Sequence, residues 1–198
     1  MVRAKPQGSL AESQPEIDAQ YVEGGFWRGD KVQASHGEWS ITLDTYVVSA
    51  GKTVLLFTRM RVPYVNPDGF RFAVSRAGMF TGLAKWLGMQ DITVGHDEFD
   101  AGFVIKGNSE EKLRALFASA RIRELISAQK DIHFSVKHDA SWFKPTPPED
   151  VDTLEFHVLG VIKDIERLKL LYALFSETLD ELCRIGSAYE HAPPDSAA

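Results

Sequence analysis

The sequence predicts an α+β domain: an antiparallel sheet of about seven strands, short inserted helices, and a long amphipathic C-terminal helix packed on the sheet. Short runs that alternate apolar and polar residues recur along the chain between turns, which is typical of antiparallel strands. Near the C-terminus the apolar residues instead recur at spacings of three and four, which places them on one helix face. This domain is expected over residues 21–187, between a flexible N-terminal arm (1–20) and a disordered tail (188–198).

Four strand-like runs lie between residues 31 and 74. The run at 39–48 alternates cleanly, and the run at 53–62 is rich in β-branched and aromatic residues. Between the third and fourth runs stands Asn-Pro-Asp-Gly at 66–69, where proline presets φ and glycine accepts a positive φ. We therefore expect a tight turn that joins two paired antiparallel strands. The four runs are residues 31–36, 39–48, 53–62 and 70–74.

The middle of the chain mixes helices and strands. Residues 79–87 predict a short helix, and residues 99–106 a strand bounded by Gly107. A capping-box pattern then opens a helix over residues 109–128. Its apolar phase slips near residue 120, so two short helices are an alternative.

Two alternating runs, 132–136 and 154–158, predict the strands of one hairpin. If Phe134 pairs with Phe156, His133 faces His157 on the outer face of the sheet; because the register is not fixed by the pattern, the favoured interpretation is two unrelated surface histidines. An alternative starts one long helix at residue 151, but Gly160 would interrupt it and the alternation favours the strand.

The C-terminal helix is predicted over residues 161–186. Asp164 can cap its start, Gly186 suits a left-handed end, and Asp180 and Arg184 are spaced to pair on its outer side. Leu171, Leu174 and Ile185 widen the apolar stripe, which leaves open a contact with a second copy of the helix. The stripe itself consists of Val161, Ile165, Leu168, Tyr172, Phe175, Leu179 and Leu182. Its residues 165, 168, 175 and 179 are expected to be buried against the sheet.

Three resemblances follow from these patterns. The strand Phe99-Asp100-Ala101-Gly102-Phe103-Val104-Ile105-Lys106-Gly107, leading into an acidic helix start, resembles an FD-x-x-F-x-I-x-G pattern in uncharacterised bacterial domains of unknown function. It covers residues 91–138 and implies a bacterial source but no activity. The order of seven strands followed by a helix also resembles pleckstrin-homology-like domains, and a sheet gripping a final helix resembles lipid-binding helix-grip domains.

Composition and charge argue against several classes of protein. The net charge of −6, with scattered Lys and Arg, argues against a nucleic-acid-binding protein. A single cysteine, Cys183, cannot form an intramolecular disulfide, and the start of the chain lacks the apolar run of a secretory signal. No window approaches the ~18 apolar residues of a membrane span. We expect a cytoplasmic protein.

Few residues point to chemistry. His96-Asp97-Glu98 with Asp100 could offer metal ligands, and so could the His133/His157 pair, but neither supplies three or four convergent groups. We therefore expect no metal, no cofactor and no catalytic residue. Asp44, inside a strand, could pair with Arg59 or Arg61 on the next strand, either as a buried base or as a surface ion pair.

The sequence favours a non-catalytic module that acts through protein contacts or self-association, on the evidence of the wide apolar helix. The alternative is a domain that binds a lipid-like or other apolar small molecule between the sheet and the C-terminal helix. An unassigned hydrolase ranks third. The aromatic residues that would line or fill such a cavity are Trp39, Phe57, Phe70, Phe72, Phe134, Phe156 and Phe175.

Overall fold

The structure, a computed structural model, describes residues 19–22, 31–78, 90–138 and 150–189, and these form one antiparallel sheet with four helices. The strands are β1 (Ala19–Val22), β2 (Lys31–His36), β3 (Trp39–Ala50), β4 (Thr53–Val65), β5 (Phe72–Arg76), β6 (Gln90–Asp91), β7 (Phe103–Gly107), β8 (His133–Lys137) and β9 (Val151–Leu159). The helices are α1 (Asp97–Gly102), α2 (Glu110–Phe117), α3 (Ala120–Ser127) and α4 (Ile165–Arg184). The predicted α+β class is confirmed. The predicted helix at 79–87 and most of both predicted tails lie outside the described residues.

The strands lie in the order β1-β2-β3-β4-β9-β8-β5-β7-β6. The predicted β8–β9 hairpin is confirmed, and its register places Phe134 opposite Phe156, so residues 151–159 are strand and not helix. The described residues form nine strands, where about seven were expected. The additional ones are β1, whose first two residues fall in the expected flexible arm, and the two-residue β6.

The prediction that the turn at 66–69 joins two paired strands is wrong. The turn itself forms: Gly69 has φ +65°, and the Asp68 carboxylate accepts the backbone N–H of Phe70 at 2.8 Å. However, β9 and β8 separate β4 from β5. Turn residues fix only the local bend, whereas the choice of neighbouring strand depends on packing along the whole sheet.

Residues 97–102 form α1, so the strand predicted from residue 99 begins only at Phe103. The Asp100 carboxylate explains the helix, because it accepts the backbone N–H groups of Val94, Gly95 and His96 at 2.9–3.0 Å. The slip in apolar phase near residue 120 does divide the next helix into α2 and α3. Each begins at a serine that accepts a backbone N–H, Ser109 and Ser119.

Helix α4 covers one face of the sheet, and its two predicted caps are confirmed. The Asp164 carboxylate accepts the N–H groups of Glu166 and Arg167, and Gly186 has φ +73°. The predicted pairing of Asp180 with Arg184 is wrong, because Asp180 accepts from His36 of β2 at 2.8 Å and Arg184 pairs with Glu181.

The buried side of α4 is rotated relative to the predicted stripe. Ile165 is 66% exposed and Leu168 is only half-buried, whereas Phe175 and Leu179 are buried as expected. Leu171 and Leu174 are fully buried. Helix α3 packs beside α4, so the helix faces both the sheet and a second helix, and the buried stripe shifts towards the side between them.

Candidate functional site

The face of the sheet opposite α4 carries a lattice of charged and imidazole side chains, which we call the polar face. Because alternate residues of a strand point to opposite faces, the same alternation that buries Met60 and Phe156 under α4 sends their neighbours to this side. Strand register then aligns Asp44, Arg59, His157 and His133 in one row across four strands. The polar face consists of Asp44, Arg59, Arg61, His133, Lys137, Glu155 and His157.

Asp44 is the first anionic centre of the polar face. It is 7% exposed and accepts two hydrogen bonds from Arg59, both at 2.9 Å, and one from Arg61 at 3.1 Å. The structure thus pairs it with both candidate arginines. Burial opposes the charge of Arg59, but the hydrogen bonds to Asp44 together with the negative charges of Asp44 and Glu155 outweigh burial and raise the pKa of the guanidinium. Arg59 also lies over the Tyr46 ring at 4.8 Å, which fixes its direction.

Glu155 is the second anionic centre and is 6% exposed. Lys137 donates to its Oε1 at 2.6 Å, and Nδ1 of His157 lies 3.3 Å from the same oxygen. Burial alone would raise the pKa of Glu155, but the adjacent His157 imidazole and the charge and hydrogen bond of Lys137 lower it to about 2. Glu155 is therefore ionised throughout the physiological range, which suits an ion-pair anchor and not a general acid or base.

His133 and His157 face each other, which is the conditional pairing and not the favoured interpretation of two unrelated surface histidines. Their rings stack with centroids 5.0 Å apart and planes 11° apart. Burial, followed by the charge of His157, lowers the pKa of His133, and Asp131 opposes this weakly. The Phe57 ring meets His157 edge-on at 6.3 Å. The imidazole pair is the part of the polar face that can change charge near neutral pH.

A second polar cluster surrounds Asp152, which is buried at the start of β9. Arg71 donates two hydrogen bonds to its carboxylate, at 2.8 and 3.1 Å, and Asn66 donates one at 2.7 Å. Nδ1 of His138 lies 3.2 Å away. Sequence analysis missed this cluster because its members come from four separate segments. It ties the 66–69 turn to the β8 and β9 ends, which is a structural role.

The acidic segment near residue 96 does not converge on a point. Asp97 and Glu98 lie in the first turn of α1, and backbone N–H groups occupy the Asp100 carboxylate. Within the described ranges, no group of three or more His, Cys, Asp or Glu side chains is arranged to hold a metal ion. The same part of the chain contains no helix long and apolar enough to cross a membrane.

Most of the candidate ligand-binding aromatics lie between the sheet and α4, where they contact one another. Phe72 packs against Phe134 at 5.8 Å between ring centroids, and Phe134 against Phe175 at 5.5 Å. Trp39, Phe70 and Phe156 are also buried there. Phe57 is the exception: it lies on the polar face, stacked on Tyr46 at 5.2 Å. Strand alternation places it opposite the residues with which it was expected to share a cavity.

A third feature is the far end of the β3–β4 hairpin. Among the described strands, β2 pairs with β3 only as far as Asp44, and the β9 ladder on β4 ends at Thr58. Residues 45–57 therefore extend beyond both ladders. The chain after β9 runs beside them, because Gly160, at φ +90°, donates its N–H to the Leu56 carbonyl at 2.8 Å.

This end is apolar. Of the eight large apolar side chains that are exposed in the described residues, seven lie on the hairpin or on the adjoining segment that leads into α4. Val54 is the most exposed at 68%. We call these seven the hairpin end: Val47, Val48, Val54, Leu56, Leu159, Val161 and Ile165.

Comparison with known protein families, curated proteins and solved structures finds no match to this chain. The function must therefore be argued from the geometry of these three features. The polar face has its carboxylates committed to arginine and lysine, and the Asp152 cluster is a structural tie. The hairpin end is the surface whose exposure the fold itself does not explain.

Proposed function

We propose that this chain is a non-catalytic self-association module, in which the hairpin end of one copy packs against the hairpin end of a second copy. The observation that carries the proposal is the concentration of exposed apolar side chains at the hairpin end. Isolated exposed apolar residues are ordinary on soluble proteins, but a local concentration of them is typical of an interaction surface. Val47 and Leu56 are cross-strand partners and lie on one face of the hairpin, whereas Val48 points to the other, so the apolar side chains surround the end of the hairpin.

The charge pattern supports a second copy as the partner. Residues 45–57 contain one charged residue, Lys52, which lies at the turn of the hairpin, and the adjoining segment 159–165 adds one charge of each sign, Lys163 and Asp164. A two-fold contact places the same surface of two copies face to face. A charged residue inside that surface would therefore lie close to the same charge on the second copy, and the two would repel. If the two hairpins align antiparallel, the Lys52 side chain of one copy lies at one end of the contact and that of the second copy lies at the other end. Between them, apolar residues of one copy meet apolar residues of the other.

The surface differs from the one that the sequence suggested. Leu171 and Leu174 are fully buried, so α4 offers no second apolar stripe for a partner helix. Ile165, which was expected to be buried, belongs to the hairpin end instead. The buried aromatics that contact one another between the sheet and α4 favour a packed core there, and we do not propose the apolar-ligand alternative.

The test is the mass of the protein in solution, by sedimentation equilibrium, for the unaltered chain and two aspartate variants. Val54→Asp places a carboxylate in the hairpin end, and Ala120→Asp places one on an exposed alanine at the start of α3. We expect a concentration-dependent dimer whose dissociation constant rises at least ~10-fold in Val54→Asp, since covering a charge costs more than ~1.4 kcal/mol. Ala120→Asp should dimerise like the unaltered chain.

Two results would overturn the proposal. One is an unaltered chain that remains monomeric at the highest concentration reached. The other is a dimer that Val54→Asp leaves intact, since that dimer would use another surface. Circular dichroism of both variants checks that the fold is retained. The Val54 side chain is exposed, so its replacement should not unfold the domain.

A further inference from the structure

The imidazole pair on the polar face has a geometry that limits its charge. His133 of β8 and His157 of β9 are direct cross-strand partners, and their rings are held parallel, 5.0 Å apart between centroids. Both side chains are only partly exposed. Two protonated imidazoles in this arrangement would be like charges at close range with little water between them.

The surroundings distinguish the two rings. Nδ1 of His157 lies 3.3 Å from the Glu155 carboxylate, so a positive charge on His157 would lie beside an anion. His133 has no such partner at hydrogen-bond distance among the described contacts, and its cross-strand neighbour on β5 is Ser75. Asp131, in the loop before β8, is the acidic group that acts on His133.

The remaining charged groups belong to neighbouring strands. Arg59 of β4 is the cross-strand partner of His157, and Arg61 is that of Glu155. On β3, Asp44 binds both arginines. Lys137 of β8 shares the Glu155 carboxylate with His157. The side of the row that faces β4 is thus cationic, and a second proton on the pair would add to it.

We propose that the His133–His157 pair is an acid sensor: the two stacked rings accommodate one positive charge, and the folded sheet resists a second proton on His133. Mild acid then loosens the β8–β9 hairpin, because the unfolded chain can accept the proton that the fold rejects. This inference does not depend on self-association through the hairpin end, which lies outside the pair.

The direction of the pH effect follows from His133. Burial and the charge of His157 lower its pKa below the usual value of 6.5. As the pH falls through that value, the unfolded chain binds more protons than the folded chain. Stability from this group is therefore complete above the unfolded pKa and is lost as the pH falls towards the folded pKa.

The primary test is an NMR titration of the imidazole carbons in the unaltered protein and in His157→Phe. Phenylalanine keeps a flat ring in the stack but cannot take a proton. We expect His133 in the unaltered protein to take its proton below the usual histidine range, and its midpoint to move upward in His157→Phe. A His133 midpoint already in the usual range, or one that His157→Phe leaves unchanged, would overturn the proposal.

A second test measures the consequence for the fold. Urea unfolding is measured at about pH 7.5 and about pH 5. Between these two pH values the unfolding equilibrium constant should rise several-fold more in the unaltered chain than in His133→Gln. His96→Gln is the matched control, since that side chain makes no capping hydrogen bond, and it should keep the full pH response. Equal responses in the unaltered chain and His133→Gln would contradict the sensor. If His133→Gln does not fold, the titration of His157→Phe decides the matter.

Discussion

Glu155→Gln is the substitution that measures how strongly the polar face holds its buried carboxylate. The fall in the pKa of Glu155 from 4.5 to about 2 corresponds to about 3 kcal/mol of stability at neutral pH, since one pKa unit is worth about 1.4 kcal/mol. Lys137 is 40% exposed, and solvent screens part of its contribution. We therefore expect Glu155→Gln to lower the free energy of unfolding by about 2–3 kcal/mol at pH 7.

The same substitution should alter the acid sensitivity of the fold. A carboxylate whose folded pKa is depressed stabilises the protein above its unfolded pKa of about 4.5, and that stability disappears as the pH falls towards 2. The difference between the unaltered chain and Glu155→Gln should therefore shrink steadily across this window.

Urea unfolding followed by circular dichroism at several pH values gives both quantities. Glu124→Gln is the matched control: its carboxylate is 68% exposed and pairs with Arg121 at 3.7 Å, so its loss should cost well under ~1 kcal/mol. A Glu155→Gln protein as stable as this control at pH 7, or a difference that does not change with pH, would refute the argument from burial and ion pairing.

Three further predictions concern the core, a close backbone contact and metal binding. Leu174→Ala should cost ~2–5 kcal/mol in urea unfolding, whereas Ile165→Ala, on the same helix but 66% exposed, should cost far less; equal losses would contradict the observed rotation of α4. Gly107→Ala should lower the melting temperature, because its Cβ would lie 2.6 Å from Leu113 Cδ1, while Gly102→Ala meets nothing within 4 Å and should be tolerated. Protein purified without a histidine tag should retain no stoichiometric zinc or manganese in elemental analysis; retention would show ligands that neither pattern nor fold reveals.

The spacing of residues in the sequence was enough to predict helix caps and the pairing of strands that lie next to each other in the sheet. The alternation of 132–136 and 154–158 predicted a hairpin, but the facing of His133 and His157 depended on a register that alternation leaves open, because pairing one residue of an antiparallel ladder fixes all others. Asp164 and Gly186 were identifiable as helix caps, since capping depends on hydrogen bonds within one turn. The pairing of Asp44 with arginines of the next strand follows from the same local register.

Tertiary packing alone decided the rest. The sequence could not show that β9 and β8 lie between β4 and β5, because strand order depends on which apolar surfaces meet and not on the turn that joins two strands. It could not show which side of the broad α4 stripe is buried, since that depends on where α3 packs. For the same reason Phe57 and Ile165, both apolar and both in regular patterns, end outside the core: periodicity tells which residues share a face, and only the arrangement of the other elements determines which faces are covered.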